Sequence, residues 1–377
     1  MTMDGVSTGG CGAETAPGGP RGVDQSLGDL CSAIACRWAG STVPNGGGEL
    51  GVRAHRAGYA HVLEVGGVRL ALTSDGIGTK SECAERAGRY DTLGYDLIAM
   101  VVDDLVAIGA EPLGFSNIVD ADRLDAATVE KMMRGLAEAA SSCGVAILGG
   151  EIAQLGSRIG GFGRGMHANW CATALGVLPL GREIIDGSAV RPGDRLIVLR
   201  SNGWRSNGFS LAREILSNAG EDGWNASPDG TRTWSEIVLA PSRIYAPGIV
   251  SLLREGIPVH GIAHITGGGI PGNLPRILRA GPYGADLTSL WPPQEEVVAL
   301  CKLGNIVAET AYGQWNMGNG MLLAVPPEAA DRVVALLEAS GYEAKVAGPV
   351  IDEAEIRIDA TAWHLGRLAF PVAEGGR

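Results

Sequence analysis

The sequence contains no apolar run approaching the roughly 18 residues a membrane-spanning helix needs. Its N-terminus also lacks the basic-then-apolar layout of a signal peptide. Basic charge is scarce: 30 Lys and Arg face 42 Asp and Glu, for a formal net charge of −12. That balance argues against a nucleic-acid partner, which selects a basic face. It leaves phosphorylated ligands open, because a bound metal inverts local charge logic. There is no C-x-x-C pair. The seven cysteines (Cys11, Cys31, Cys36, Cys83, Cys143, Cys171 and Cys301) are dispersed, the pattern of reduced thiols rather than a disulfide frame. The six histidines show no ligand spacing, so a structural zinc site is not expected. These absences point to a soluble, cytoplasmic chain without membrane or nucleic-acid partners.

What is present is core material. Apolar residues make up 45% of 377 positions, enough for two domains, which the length itself favours. Residues 1–21 are rich in Gly, Ser, Thr and Pro and are expected to form a flexible tail. A helical pattern follows in "SLGDLCSAIACRWA", then a glycine-rich loop, "NGGGELG". "YAHVLEVGGVRLALT" reads as a hairpin turning at Gly66-Gly67. "DTLGYDLIAMVVDDLVAIGAEP" reads as a helix with Asp91 as its N-cap, and "DAATVEKMMRGLAEAASSCG" as one running from an Asp125 cap to Gly144. "LGFSNIV", "VAILGG" and "ANWCATALGVL" are strand candidates, the second of them short and buried. Turn-rich "PLGREIIDGSAVRPGD" marks a boundary near 178/179, dividing a domain over 22–178 from one over 179–377. The second half repeats the same mixture of strands and helices, so the class is α/β (α+β).

The stretch "SDGIGTKS" follows a strand pattern and nearly matches a phosphate-binding loop, but Thr79 stands where a Walker motif needs glycine before its lysine. Asp75 is also the wrong charge to set directly against phosphate. An ordinary glycine turn, with Asp75 as a turn former, explains the loop equally well when it is taken alone. Other segments change the balance. "LGGE" ends a strand with two glycines and Glu151, and "HITGGG" carries Thr266 and three glycines. One helix stripe holds Asp96, Met100, Asp103 and Ala107, flanked by Val and Leu. Carboxylates near apolar surface need a divalent cation or a lysine as partner; surface acids remain the alternative. The combination suggests Mg²⁺ held by carboxylates and polyphosphate, with glycine amides and Lys80 on phosphate oxygens and Asp75 facing the metal.

Eight collinear motifs, from "SDGIGTK" and "DTLGYDLIAMVVDDLVAIGAEPL" through "LGGE", "IIDGSAVRPGDRLI", "SNGFSLAREIL", "LAPSRIY" and "AHITGGGIPGNLPRIL" to "NMGNGMLLAV", resemble the aminoimidazole ribonucleotide synthetase family, also called phosphoribosylformylglycinamidine cyclo-ligases. The similarity runs from about Gly22 to Val350. It implies a two-domain ATP-dependent synthetase fold, with an N-terminal ATP-binding domain whose sheet forms a barrel across a homodimer. It implies ATP and Mg²⁺, phosphorylation of an amide-type oxygen, and closure of a five-membered nitrogen ring with release of ADP and phosphate. Carried over by position, Asp75, Gly76, Gly78, Thr79, Lys80, Asp103, Asp104, Gly149, Gly150 and Glu151 serve the nucleotide, with Asp75, Asp103 and Glu151 on the metal. Arg205, Ser206, Asn207, Gly208, Thr266, Gly267, Gly268 and Asn316 line the substrate side. Asp75, Lys80 and His264 are the catalytic candidates, with His264 a proton carrier or a structural residue.

The departures from the family pattern gather on the substrate side. The usual Thr-Ala-Glu-Met-Pro is "IAQLG", placing Ile152 and Gln154 where a hydroxyl and a carboxylate are expected. The acidic stretch after it is "SRIGGFGRGMHANW". A usual Pro-His is Trp204-Arg205, a usual arginine is Gly313, and Asp103 stands where asparagine is common. The N-terminal nucleotide-side segment is replaced by "TAPGGPRG". Three readings follow: a cyclo-ligase for formylglycinamidine ribonucleotide, a specialised relative acting on another, secondary-metabolite substrate, or a non-catalytic nucleotide-binding homologue.

Overall fold

The computed structural model describes residues 25–42, 53–220, 222–361 and 366–372. The tail, the "NGGGELG" loop and the "TAPGGPRG" segment lie outside them. Two sheets organise the chain. The first contains β1 (Arg53–Ala57), β2 (Ala60–Val65), β3 (Val68–Gly76), β4 (Glu111–Ala121), β5 (Ala146–Gln154) and β6 (Ala168–Leu178), in the order β1-β2-β3-β6-β4-β5. The second contains β7 (Arg195–Arg200), β8 (Gly261–His264), β9 (Gly284–Leu287), β10 (Asn319–Val325), β11 (Ala344–Ile351), β12 (Glu355–Asp359) and β13 (Arg367–Pro371), in the order β13-β12-β9-β11-β7-β10-β8. Among the described residues, only β4 with β5 and β9 with β12 run parallel.

The expected hairpin is present. Gly66 and Gly67 both take left-handed backbone, at φ 57° and 82°, the geometry that lets a two-residue turn match strand twist. The helix Leu93–Ala107 is buried on nearly every side, because it lies between the first sheet and elements of the second half. A helix so enclosed is apolar on most of its surface, which explains its valine- and leucine-rich sequence, and its buried Asp96 and Asp103 need partners. Its N-cap is Thr92, with no side-chain capping bond, rather than Asp91. The helix Ala126–Cys143 begins as expected, with the Asp125 carboxylate accepting from the Thr128 amide at 3.0 Å, and ends at left-handed Gly144.

These two helices cross where neither has a side chain. A Cβ built on Gly135 falls 1.8 Å from the Asp91 carbonyl oxygen, and one on Gly94 falls 2.3 Å from the Leu136 nitrogen. Both obstacles are backbone, so neither rotates away. Gly135→Ala is therefore expected to cost about 1–3 kcal/mol through overpacking, read as a lower urea midpoint.

Strand β5 corrects one expectation. It is not a buried strand but the exposed edge of the first sheet, bonded among the described residues to β4 alone, with Leu148 62% exposed. Its apolar composition marks a surface rather than a core.

Candidate functional site

Residues alternate faces along β3, and the buried Ala71 and Thr73 share their face with Asp75. That face meets the helix Leu93–Ala107, where Asp104 comes alongside. Thr73 Oγ1 lies 3.4 Å from Asp104 Oδ2 and 3.2 Å from the Tyr59 carbonyl. Asp75 Oδ1 accepts from the Gly76 amide at 2.7 Å. Asp104 Oδ1 is 2.8 Å from His264 Nδ1, at the end of β8. The Arg276 guanidinium sits 5.0 Å from the Tyr59 ring centroid, and its charge acts on both carboxylates. The result is a cluster drawn from both halves of the chain: Asp75 and Asp104 from one, His264 and Arg276 from the other.

Burial disfavours the ionised form of each acid and lifts Asp75 to about 6, with the neighbouring Asp104 charge adding to the effect. Burial likewise lifts Asp104 to about 7, against the opposing pull of Arg276. His264 moves the other way, down to about 3, through burial first and Arg205 second. In cation-free protein the acids favour the folded state below their unfolded value, near 4. That contribution is lost as pH rises through 6–7. His264 opposes it: its contribution is present above about 6.5 and is lost as pH falls toward 3. Carboxyl ¹³C titration is expected to place Asp75 and Asp104 well above ordinary aspartates. Asp104→Asn should lower the Asp75 midpoint without returning it fully, because burial remains.

The other sequence candidates sit differently. Asp103 is fully buried, and its oxygens are already used. Oδ1 accepts from the Tyr245 and Ala246 amides at 2.8 and 2.9 Å, capping the helix Ala246–Arg254 with a favourable charge. Oδ2 accepts from Arg205 at 2.9 Å. Its partner is thus an arginine, not a metal. Asp96, on the same stripe, pairs with Lys80 at 2.8 Å.

Lys80 is wholly buried. It donates to Asp96 and to the carbonyls of Arg205 and Ala240 at 2.8–2.9 Å, so its three protons are spent and none faces phosphate. Gly78 and Thr79 just before it are exposed. They open the helix Lys80–Ala87 without a side-chain cap, leaving a helix N-terminus suited to an anion.

Glu151 is paired with Ile118, and the ladder carries Asp75 through Ala172 and Asn117 to Gly150. Directly paired residues share a face, so Glu151 lies on the face opposite Asp75 and three strands away. Asp75, Asp103 and Glu151 do not converge, and among the described residues no three His, Cys, Asp or Glu side chains do so.

On the substrate side, Arg205 is buried inside the protein rather than lining a pocket. Asn316 is occupied holding the Gly203 carbonyl and the Gly318 amide. The loop carrying Thr266, Gly267 and Gly268 is wrapped around buried Asn273, which donates to Gly267 and Gly269 and accepts from Thr266. Ser206 Oγ and Asn207 Oδ1, next to the left-handed Gly208, are buried with no hydrogen-bond partner. That is an expensive state for polar atoms unless a ligand completes it.

Sequence reading missed Tyr59, Thr73 and Arg276. Thr73 was accessible from strand alternation, two residues before Asp75. Arg276 stood in the quoted "NLPRIL" without being singled out. Tyr59 carried no signal.

Two family models cover most of the chain: AIR synthase related protein, N-terminal domain, over residues 57–177, and the corresponding C-terminal domain over 191–360. The chain belongs to this family. Phosphoribosylformylglycinamidine cyclo-ligase of Myxococcus xanthus (strain DK1622) is 38% identical over 284 residues, covering 74% of this chain and 80% of that protein. Among solved structures, the HypE–HypF complex matches with a TM-score of 0.60 at 18% identity, over 83% of this chain and 92% of that one. The hydrogenase maturation protein HypE in complex with ATP matches with a TM-score of 0.56 at 17% identity, over 81% and 85%. At these identities the structures establish the shared two-domain α/β fold.

Among the described residues, no helix is long and apolar enough to cross a membrane, and the cysteines placed there are free.

Proposed function

We propose that this chain is an ATP- and Mg²⁺-dependent cyclo-ligase that phosphorylates an amide-type oxygen and then closes a five-membered nitrogen ring, releasing ADP and phosphate. The observation that carries this reading is the Asp75–Asp104 pair beside Arg276, with the exposed Gly78-Thr79 helix start only three residues after Asp75 in the chain. Two partly buried carboxylates with raised proton affinity form a hard oxygen donor set, and Mg²⁺ normally takes one or two carboxylates plus phosphate oxygens. The donors present therefore fit magnesium, with Asp75 and Asp104 as the residues to hold it. When bound, the ion supplies charge neutralisation on the transferred phosphate. The remaining work falls to the chain itself. Gly78 and Thr79 present the helix start to phosphate. Arg276 balances the carboxylates. Ser206 and Asn207 offer unpaired polar atoms to the substrate and hold it for in-line attack. Amide oxygen is a poor leaving group, and phosphorylation turns dehydration into phosphate expulsion.

The relatives' name supports formylglycinamidine ribonucleotide as substrate. With that compound and ATP, ADP release is expected to follow ring closure one for one; nucleotide binding without turnover would reject this substrate. A second reading, the same activation applied to a different substrate, draws on Gly313. A side chain there would enter open space, so the arginine usual in the family is lost without a replacement filling its place. A homodimer is part of the proposal. The sheet face opposite the helices exposes Leu63, Leu72 and Ile118, an apolar surface suited to burial against a second copy.

A further inference from the structure

Arg205 adopts left-handed backbone at φ 62° and is fully buried, an arrangement costly in both strain and desolvation. Its guanidinium has three bonded contacts. One nitrogen donates to the Arg243 carbonyl at 2.8 Å. The other reaches Asp103 Oδ2 at 2.9 Å and His264 Nε2 at 2.7 Å. Arginine only donates, so Nε2 of His264 must accept, and the ring proton must sit on Nδ1. Nδ1 then donates to Asp104 Oδ1 at 2.8 Å. The chain Asp103–Arg205–His264–Asp104 is thus directional, with each donor and acceptor fixed by the one before it. Asp103 and Arg205 are each other's ionic partners, with both side chains all but fully buried.

We propose that Arg205 is a positioning residue: paired with Asp103, it fixes His264 as the neutral Nδ1–H tautomer, which in turn orients the Asp104 carboxylate at the nucleotide side. On this account His264 is a strut and not a proton carrier, because its accepting nitrogen faces a permanent cation. Asp103 and Arg205 form a unit, so replacing one alone strands the other. The proposal rests on the reading of Asp104 as a site carboxylate, but its test needs no nucleotide.

In the full-length protein labelled with ¹⁵N and ¹³C, long-range proton–nitrogen spectra report the His264 tautomer directly, assigned through its backbone. The expected result is an unprotonated Nε2 and a protonated Nδ1. A protonated Nε2, or a ring exchanging between tautomers, overturns the proposal. Urea unfolding of Asp103→Asn, Arg205→His and the double variant supplies a second test. Each single change is expected to lower the midpoint, and the double to regain most of the loss. Losses that simply add would refute the pairing. In the double variant the Asp104 carboxyl ¹³C signal should also move, which a purely structural Arg205 far from Asp104 would not cause. If the chain failed to bind ATP while the tautomer was as stated, the function would fall and the relay would stand.

Discussion

Replacing Lys80 with methionine is expected to lower folding stability by about 3–5 kcal/mol, the cost of leaving one member of a buried ion pair uncompensated. Asp96 would keep its Ser242 contacts but lose the Lys80 ammonium that pairs with it. The Arg205 and Ala240 carbonyls would lose their donor as well. Because these acceptors belong to both halves of the chain, the damage should appear as loosening between them. The double variant Lys80→Met/Asp96→Leu removes both charges and is expected to recover much of the loss. Urea denaturation of the parent, each single variant and the double measures this. A lysine serving phosphate behaves differently: Lys80→Met would then leave the midpoint nearly unchanged and weaken nucleotide binding alone.

The second large effect concerns the carboxylates. Asp75→Asn and Asp104→Asn are each expected to weaken Mg²⁺-dependent ATP binding by roughly 30-fold or more, equivalent to about 2 kcal/mol. Glu151→Gln is expected to leave it unchanged in the single chain's site, because Glu151 is on the opposite face of the sheet. Titration calorimetry with and without Mg²⁺ separates loss of the cation from loss of the nucleotide. Equal weakening in the presence and absence of the ion would place Asp75 on some other duty.

Much of this architecture was legible from pattern alone. The hairpin at Gly66-Gly67, the helix between Asp125 and Gly144, and the strand "ANWCATALGVL" rest on local rules of turn, cap and alternation, and the structure has them. The acidic helix was also legible as a helix, but not which acid did what. Asp96, Asp103 and Asp104 sit on one short segment and differ only in what the rest of the chain brings to them. Lys80 reaches Asp96, Arg205 and a helix start reach Asp103, and His264 reaches Asp104. Those partners lie 16 to 160 residues away, beyond any local rule. The same limit explains Lys80. A lysine after a glycine loop reads as a phosphate ligand until the fold shows three acceptors already closed around it. Glu151 was misplaced for a different reason: its face depends on a bulge between Phe115 and Ser116 in the β4–β5 ladder, which shifts register without a sequence mark.

In the proposed site Asp75 and Asp104, and neither Asp103 nor Glu151, hold the cation that serves ATP. Crystals of the parent protein grown with Mn²⁺ and a non-hydrolysable ATP analogue test it directly through the anomalous signal of the metal. A peak is expected between the carboxylates of Asp75 and Asp104, against the phosphates of the analogue. A peak ligated by Asp103 or Glu151 instead would contradict it.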